Sequence, residues 1–155
     1  MIETLDSRTL TELIIEVFRL NGRLIAAGDA LVAKIDLTSA RWQVLGAINF
    51  QQEPAPVVRI ANAMGLARQS VQRIVDELKK SGMVEFRPNP HHKRAKLVTL
   101  TPKGRALTDA AMRLQEPWAL ALAAGIERSA LQTALSVLAQ LRARLEENEQ
   151  PGGRI

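Results

Sequence analysis

The sequence predicts a mainly α-helical chain with a small β wing, and three observations carry that expectation. Apolar residues recur at helical spacing over most of the chain, two short helices meet at a glycine near its middle, and a basic hairpin of strand-forming residues follows. The chain has 155 residues, 46% of them hydrophobic, which suits one fold with a buried core. Only 3% are aromatic, so that core is expected to be aliphatic.

Each element has a local cause. From Leu10 to Lys34 the apolar residues are Leu10, Leu13, Ile14, Val17, Leu20, Leu24, Ile25, Leu31 and Val32, with Gly22 and Gly28 as weak points. One long helix or two shorter ones fit equally. Thr38 or Ser39 can cap the next helix by offering a hydroxyl oxygen to its unpaired N–H groups, and that helix runs to about Phe50. Gln51 to Pro56 then reads as a loop. Val58 to Met64 forms a short helix ending at Gly65, a residue that tolerates the left-handed conformation of many helix ends.

A second helix restarts at Arg68 and reaches Ser81. Its apolar residues Val71, Ile74, Val75 and Leu78 share one face of a helix with a period of about 3.6 residues. Side chains about 100° apart then place Gln69, Arg73 and Lys80 on the opposite face, with Gln72 and Asp76 beside them. Gly82 marks the stop. Met83 to Arg87 and Ala95 to Thr101 read as two strands, and Pro88 to Arg94 as the hairpin tip carrying His91, His92, Lys93 and Arg94. Pro102 suits the first turn of a further helix, because its missing N–H has no partner there in any case. That helix is expected to reach about Ala124, with a kink or break at Pro117 near Trp118. The last helix, Arg128 to Asn148, bears Leu131, Leu135, Leu138, Leu141 and Leu145 as a stripe that needs a cover.

Charge is unevenly distributed. Between Ala55 and Arg105 there are eleven Lys and Arg against three acids, a balance of +8, so the total of +5 leaves −3 for the rest. A basic middle between mildly acidic flanks suits a polyanion held by one part of the fold. Cysteine is absent, which excludes disulfides and thiol-based redox sensing. Met1 to Asp6 has neither the basic start nor the apolar run of a signal peptide, and no stretch approaches the roughly 18 apolar residues of a membrane span, so a cytoplasmic protein is expected. No glycine-rich phosphate loop, cysteine nucleophile or separated histidine to pair with a serine is present, so neither enzyme activity nor a cofactor is expected. Adjacent His91 and His92 lack a third histidine or nearby carboxylates, so no metal site is expected.

The string G-L-x-R-Q-S-V-x-R-I-V-D-x-L-x-x-x-G-x-V from Gly65 to Val84, the basic tip, and L-V-x-L-T-P-K-G-R from Leu97 to Arg105 together resemble the winged helix-turn-helix of the MarR family of bacterial transcription regulators. Leu37-Thr38-Ser39-Ala40-Arg41-Trp42-Gln43-Val44-Leu45 is similar to that family's L-T-x-x-x-[WF]-x-V-L helix. The resemblance covers roughly Leu10 to Leu145. It implies a helical dimerisation segment over 1–36, a winged helix-turn-helix over 37–105 and C-terminal dimerisation helices over 106–148, while the residues of the tail over 149–155 read as disordered. It also implies a homodimer on double-stranded DNA, in many such proteins a repressor, and here one expected at a pseudo-palindromic operator. Many of them are released by a small aromatic or phenolic effector.

Carried onto this chain, the resemblance makes Gln69 and Arg73 the candidate base readers, with Gln72 next. The pairing of arginine with guanine and glutamine with adenine in the major groove supports that choice. Arg68 and Ser70 fall in the first helical turn, where unpaired N–H groups favour phosphate. In the wing, Arg94 matches the family's minor-groove arginine, with His92, Lys93 and Lys96 around it. Arg41 and Trp42 fall where the family's effector pocket would lie. Trp42 also reads as core, and Arg41 as an exposed cation at a helix start.

Two departures stand out. The residue before Arg68, commonly serine or threonine in the family, is Ala67, and a lost cap costs about 1 kcal/mol unless another group substitutes. The wing's usual D-x-R is His92-Lys93-Arg94 here, so no carboxylate braces Arg94, although a protonated His92 would add positive charge to the tip. A different reading of the basic face, as an interaction module for an acidic protein, is separated from DNA binding by gel shift.

Overall fold

The computed structural model describes residues 7–148, so the expected tail at 149–155 lies outside the described residues. The chain divides into two compact units, one reaching to Glu116 and the other starting at Pro117.

The first helix, α1, is a single element, Ser7–Val32, followed by a short 3₁₀ turn at Ala33–Ile35. Gly28, which reads from the sequence as a weak point, is instead where α1 meets the start of α2 (Ser39–Phe50). A Cβ there would overlap the Ser39 hydroxyl and lie 3.7 Å from the Trp42 ring. Ser39 exploits that closeness, its hydroxyl donating to the Ile25 carbonyl at 2.9 Å and its N–H to the Asp29 carboxylate at 2.7 Å. Of the two capping options, Thr38 is the cap, with Oγ1 accepting from the Arg41 N–H at 3.3 Å.

Part of the expected loop after Phe50 is a strand. Ala55–Pro56 (β1) pairs antiparallel with β3 (Leu97–Leu100), which also pairs with β2 (Val84–Arg87), giving a three-stranded sheet in the order β1-β3-β2. Pro56, opposite Leu97, donates no hydrogen bond, which an edge strand tolerates. Two residues are too few for alternation to show in a sequence. The hairpin strands are shorter than expected, because the groups at their ends serve elsewhere: the Met83 N–H bonds the Leu78 carbonyl, and the Ala95 N–H bonds the His92 carbonyl.

Helix α3 (Val57–Met64) ends at Gly65 with φ of 62°, and α4 (Arg68–Lys80) follows after two further residues. The face of α4 expected to be apolar is buried: Val71, Ile74, Val75 and Leu78. They join Val44, Leu45, Ile60 and Val98 in an aliphatic core with Trp42 and Phe86 at its margin. Burying each such side chain contributes about 1.5–3 kcal/mol, so this set, rather than surface ion pairs, holds α4 and the wing together.

Residues 101–104 fasten the sheet to α5 (Pro102–Leu122). The Thr101 hydroxyl donates to the Gly82 carbonyl at 2.6 Å and accepts from the Gly104 N–H at 3.1 Å, while the Lys103 ammonium donates to the Ser81 carbonyl at 2.8 Å. Gly104 is buried against the Met83 carbonyl, with no room for a side chain. Of the kink or break expected near Trp118, the break is absent, since α5 runs through Pro117. Proline removes only one intrahelical bond, and Ala119, Leu120, Ala121 and Leu122 beyond it are good helix formers.

The second unit holds the last turns of α5, a turn with Gly125 at φ of 80°, and α6 (Arg128–Asn148). No residue of α6 is buried.

Candidate nucleic-acid interface

Helix α4 is about 20 Å long, a size that enters a DNA major groove about 12 Å wide. Its apolar face is spent on the core, so the opposite face has to carry the function. Arg68, Gln69, Ser70 and Arg73 are all exposed there, and Gln72 is half-buried. Two of these side chains have acidic partners one turn on. The Arg73 guanidinium donates to Glu77 at 2.9 Å, and the Gln72 amide donates to Asp76 at 3.0 Å. Exposed pairs at this spacing are worth about 0.3–0.5 kcal/mol, whereas a two-point base contact discriminates by about 1–3 kcal/mol. The pairs are therefore too weak to withhold these side chains from a stronger partner.

Ala67 provides no side-chain cap to α4. Arg68 and Ser70 stand exposed in this first turn, where the uncapped end of a helix suits an anion.

The wing tip is ordered despite the missing carboxylate. The Asn89 amide donates to the Ala95 carbonyl at 2.9 Å and its oxygen accepts from the His91 N–H at 3.0 Å. The His92 N–H bonds the Asn89 carbonyl at 3.3 Å. His91, His92, Lys93 and Arg94 project from this turn into solvent, while Asn89 is half-buried. His92, Arg94 and Lys96 face Arg68 and Gln72 across one groove of about 580 Å³ whose floor includes Pro56 and Phe86. Gln69 and Arg73 line an adjoining concavity with Arg68 and Lys80. Ser70 and Lys93 line neither.

Arg41 and Trp42 part company. The Trp42 ring packs on the core at Gly28, which is the structural of its two readings. Arg41 has a side chain 27% exposed and sits 3.6 Å from the second oxygen of Glu77, so one carboxylate is shared by Arg41 of α2 and Arg73 of α4. Both arginines line a groove of about 500 Å³ with Ile25, Asp29, Thr38 and Ile74. Sequence reasoning missed Glu77 and Asn89. The spacing of four between Arg73 and Glu77 was a usable signal for the first; for Asn89 the only hint was its place between two prolines.

The exposed face of α4 and the basic wing thus lie side by side along one groove. A model of the MarR family matches residues 35–95. The Mycobacterium tuberculosis protein Rv2011c is 35% identical over 104 residues, 67% of this chain and 71% of its own. The chain belongs to the MarR family. The HTH-type transcriptional repressor IacR of Pseudomonas putida is 30% identical to this MarR family member over 86 residues, 56% of this chain and 51% of its own. A crystal structure of a mutant MarR from E. coli, complexed with operator DNA, superposes with a TM-score of 0.69 at 26% identity, covering 85% of this chain and 97% of that one. This MarR family protein is thus a winged-helix transcription regulator of the DNA-binding kind. Among the described residues, no helix is long and apolar enough to cross a membrane.

Proposed function

We propose that the chain is a homodimeric cytoplasmic repressor that occupies a pseudo-palindromic operator and releases it on binding a small aromatic or phenolic ligand. The observation that carries the DNA reading is the shared groove in which Arg68 and Gln72 of α4 face His92, Arg94 and Lys96 of the wing. In this reading Gln69 and Arg73, with Gln72, read bases. Arg68, Ser70, Lys93 and Lys96 contact backbone phosphate, and Arg94, flanked by His92, enters the minor groove.

The dimer reading rests on unpartnered apolar surface. On α1, Ile14, Phe18, Leu20 and Ile25 are exposed, Phe18 by 72%, and on α6 Leu135 and Leu145 are exposed by 70% and 66%. Such faces on two long helices are supported in water by a second copy of the chain. Residues 1–36 and 106–148 are then the dimerisation segments around a DNA-binding domain at 37–105. Two wings related by a two-fold axis select half-sites about 10 bp apart.

The effector reading rests on Arg41. Its guanidinium, partly exposed beside the groove that it lines with Ile25, Asp29, Thr38 and Ile74, offers a cation to an anionic group of the ligand. Selection of bound genomic fragments, followed by gel shift with the parent, Arg73→Ala and Arg94→Ala proteins, tests the function. Retardation of a symmetric site by the parent, weakened in both variants, is expected. No retardation at low salt overturns it.

A further inference from the structure

The family's wing aspartate is absent at His92, yet the tip is held by another residue. We propose that Asn89 is a positioning residue that preorganises the wing arginine Arg94, replacing the missing carboxylate by a brace from the opposite end of the turn. The inference rests on the reading of Arg94 as a DNA contact.

The geometry favours asparagine over any other side chain. Its amide is used from both ends: the nitrogen donates to the Ala95 carbonyl at 2.9 Å, and the oxygen accepts from the His91 N–H at 3.0 Å. The backbone of the same residue accepts from His92, and Ala95 donates back to the His92 carbonyl at 3.1 Å. Both ends of the segment between Asn89 and Ala95 are thereby tied, and Arg94 is the residue next to the tied carbonyl. Pro88 and Pro90 restrict the backbone on either side, so the asparagine itself has a rigid mount. Aspartate at this position would keep the acceptor and lose the donor, setting an anion against the Ala95 carbonyl. Alanine would lose both bonds. In either case the turn samples more conformations before binding, and ordering it counts against affinity.

The test is a double-mutant cycle on the full chain. Operator affinity is measured by fluorescence anisotropy for the parent, Asn89→Ala, Arg94→Ala and the double variant. Loss of two hydrogen bonds corresponds to about a tenfold weaker affinity for Asn89→Ala. In the Arg94→Ala background the same change is expected to have no further effect, and Asn89→Asp to behave as Asn89→Ala does. An equal loss in both backgrounds, or none in either, overturns the proposal, because Asn89 would then act independently of Arg94 or not at all. Amide hydrogen exchange of the DNA-free proteins decides the brace separately. Protection of the His91, His92 and Ala95 amides is expected in the parent and lost in Asn89→Ala, with core amides unchanged. Equal exchange of these amides in the two proteins overturns the brace even if no operator is retarded, whereas failure of retardation with the protection intact overturns only the DNA reading.

Discussion

Replacing Gly104 by alanine sets two effects of opposite sign against each other. Gly104 lies in the first turn of α5, where alanine in place of glycine would ordinarily stabilise a helix by about 1 kcal/mol. Here the new Cβ would overlap the Met83 carbonyl oxygen and stand 2.9 Å from its carbon and 3.3 Å from its Cα. Those atoms are backbone at the start of the hairpin and cannot rotate away. Relief requires moving α5 off the sheet, which costs about 1–3 kcal/mol as overpacking. The same movement weakens the bonds from the Thr101 hydroxyl to Gly82 and from Lys103 to Ser81, at about 1 kcal/mol each. The net expectation is a loss of about 2–4 kcal/mol, a fall in Tm of roughly 4–16 °C for a chain of this length. Thermal unfolding followed by circular dichroism reads it directly, at one fixed protein concentration. Gly46→Ala is the control, since a Cβ there meets nothing within 4 Å, and its Tm is expected to hold or rise. A Gly104→Ala protein as stable as the parent would refute the close approach as the reason for glycine.

Other outcomes follow from the same geometry. Arg73→Ala is expected to weaken operator binding about tenfold or more and to relax preference at one base position per half-site, whereas Lys96→Ala weakens all sequences alike and lowers the salt slope by about 1 for each phosphate no longer neutralised; competition with point-mutated operators separates the two. Leu135→Glu in α6 is expected to convert dimer to monomer by sedimentation at micromolar concentration, and an unchanged mass would count against the dimer reading. Arg41→Ala is expected to leave operator affinity within a few-fold while abolishing release by an anionic effector found by ligand screening. Release that survives the substitution would move the effector site elsewhere.

The helices were legible because each carries a repeating apolar face, and the α3–α4 turn because only glycine sits easily at the φ of 62° found at Gly65. The reading face of α4 was legible by subtraction: once Val71, Ile74, Val75 and Leu78 are inside, Gln69 and Arg73 must be outside. What stayed hidden depends on packing between distant residues. Gly28 and Gly104 are glycines because of Ser39 and Met83, and nothing beside them in the chain says so. Strand β1 has two residues, one of them a proline, and exists only because β3 lies alongside. At the wing, the substitution of the aspartate by His92 was visible, but its replacement by Asn89 was not, since that depends on where the turn brings the Ala95 carbonyl. Arg41 was visible as a cation, and its sharing of Glu77 with Arg73 was not.

The central claim is that α4 and the wing jointly hold a DNA duplex, and salt-dependent binding tests it most directly. With Arg68, Lys93, Arg94 and Lys96 of each of two subunits displacing counterions from the duplex, the logarithm of operator affinity should fall against the logarithm of salt with a slope of about −7. Arg94→Ala should make the slope shallower by about 2, one charge per subunit. Binding that ignores salt, or is unchanged when Arg73 and Arg94 are both replaced by alanine, would contradict the account.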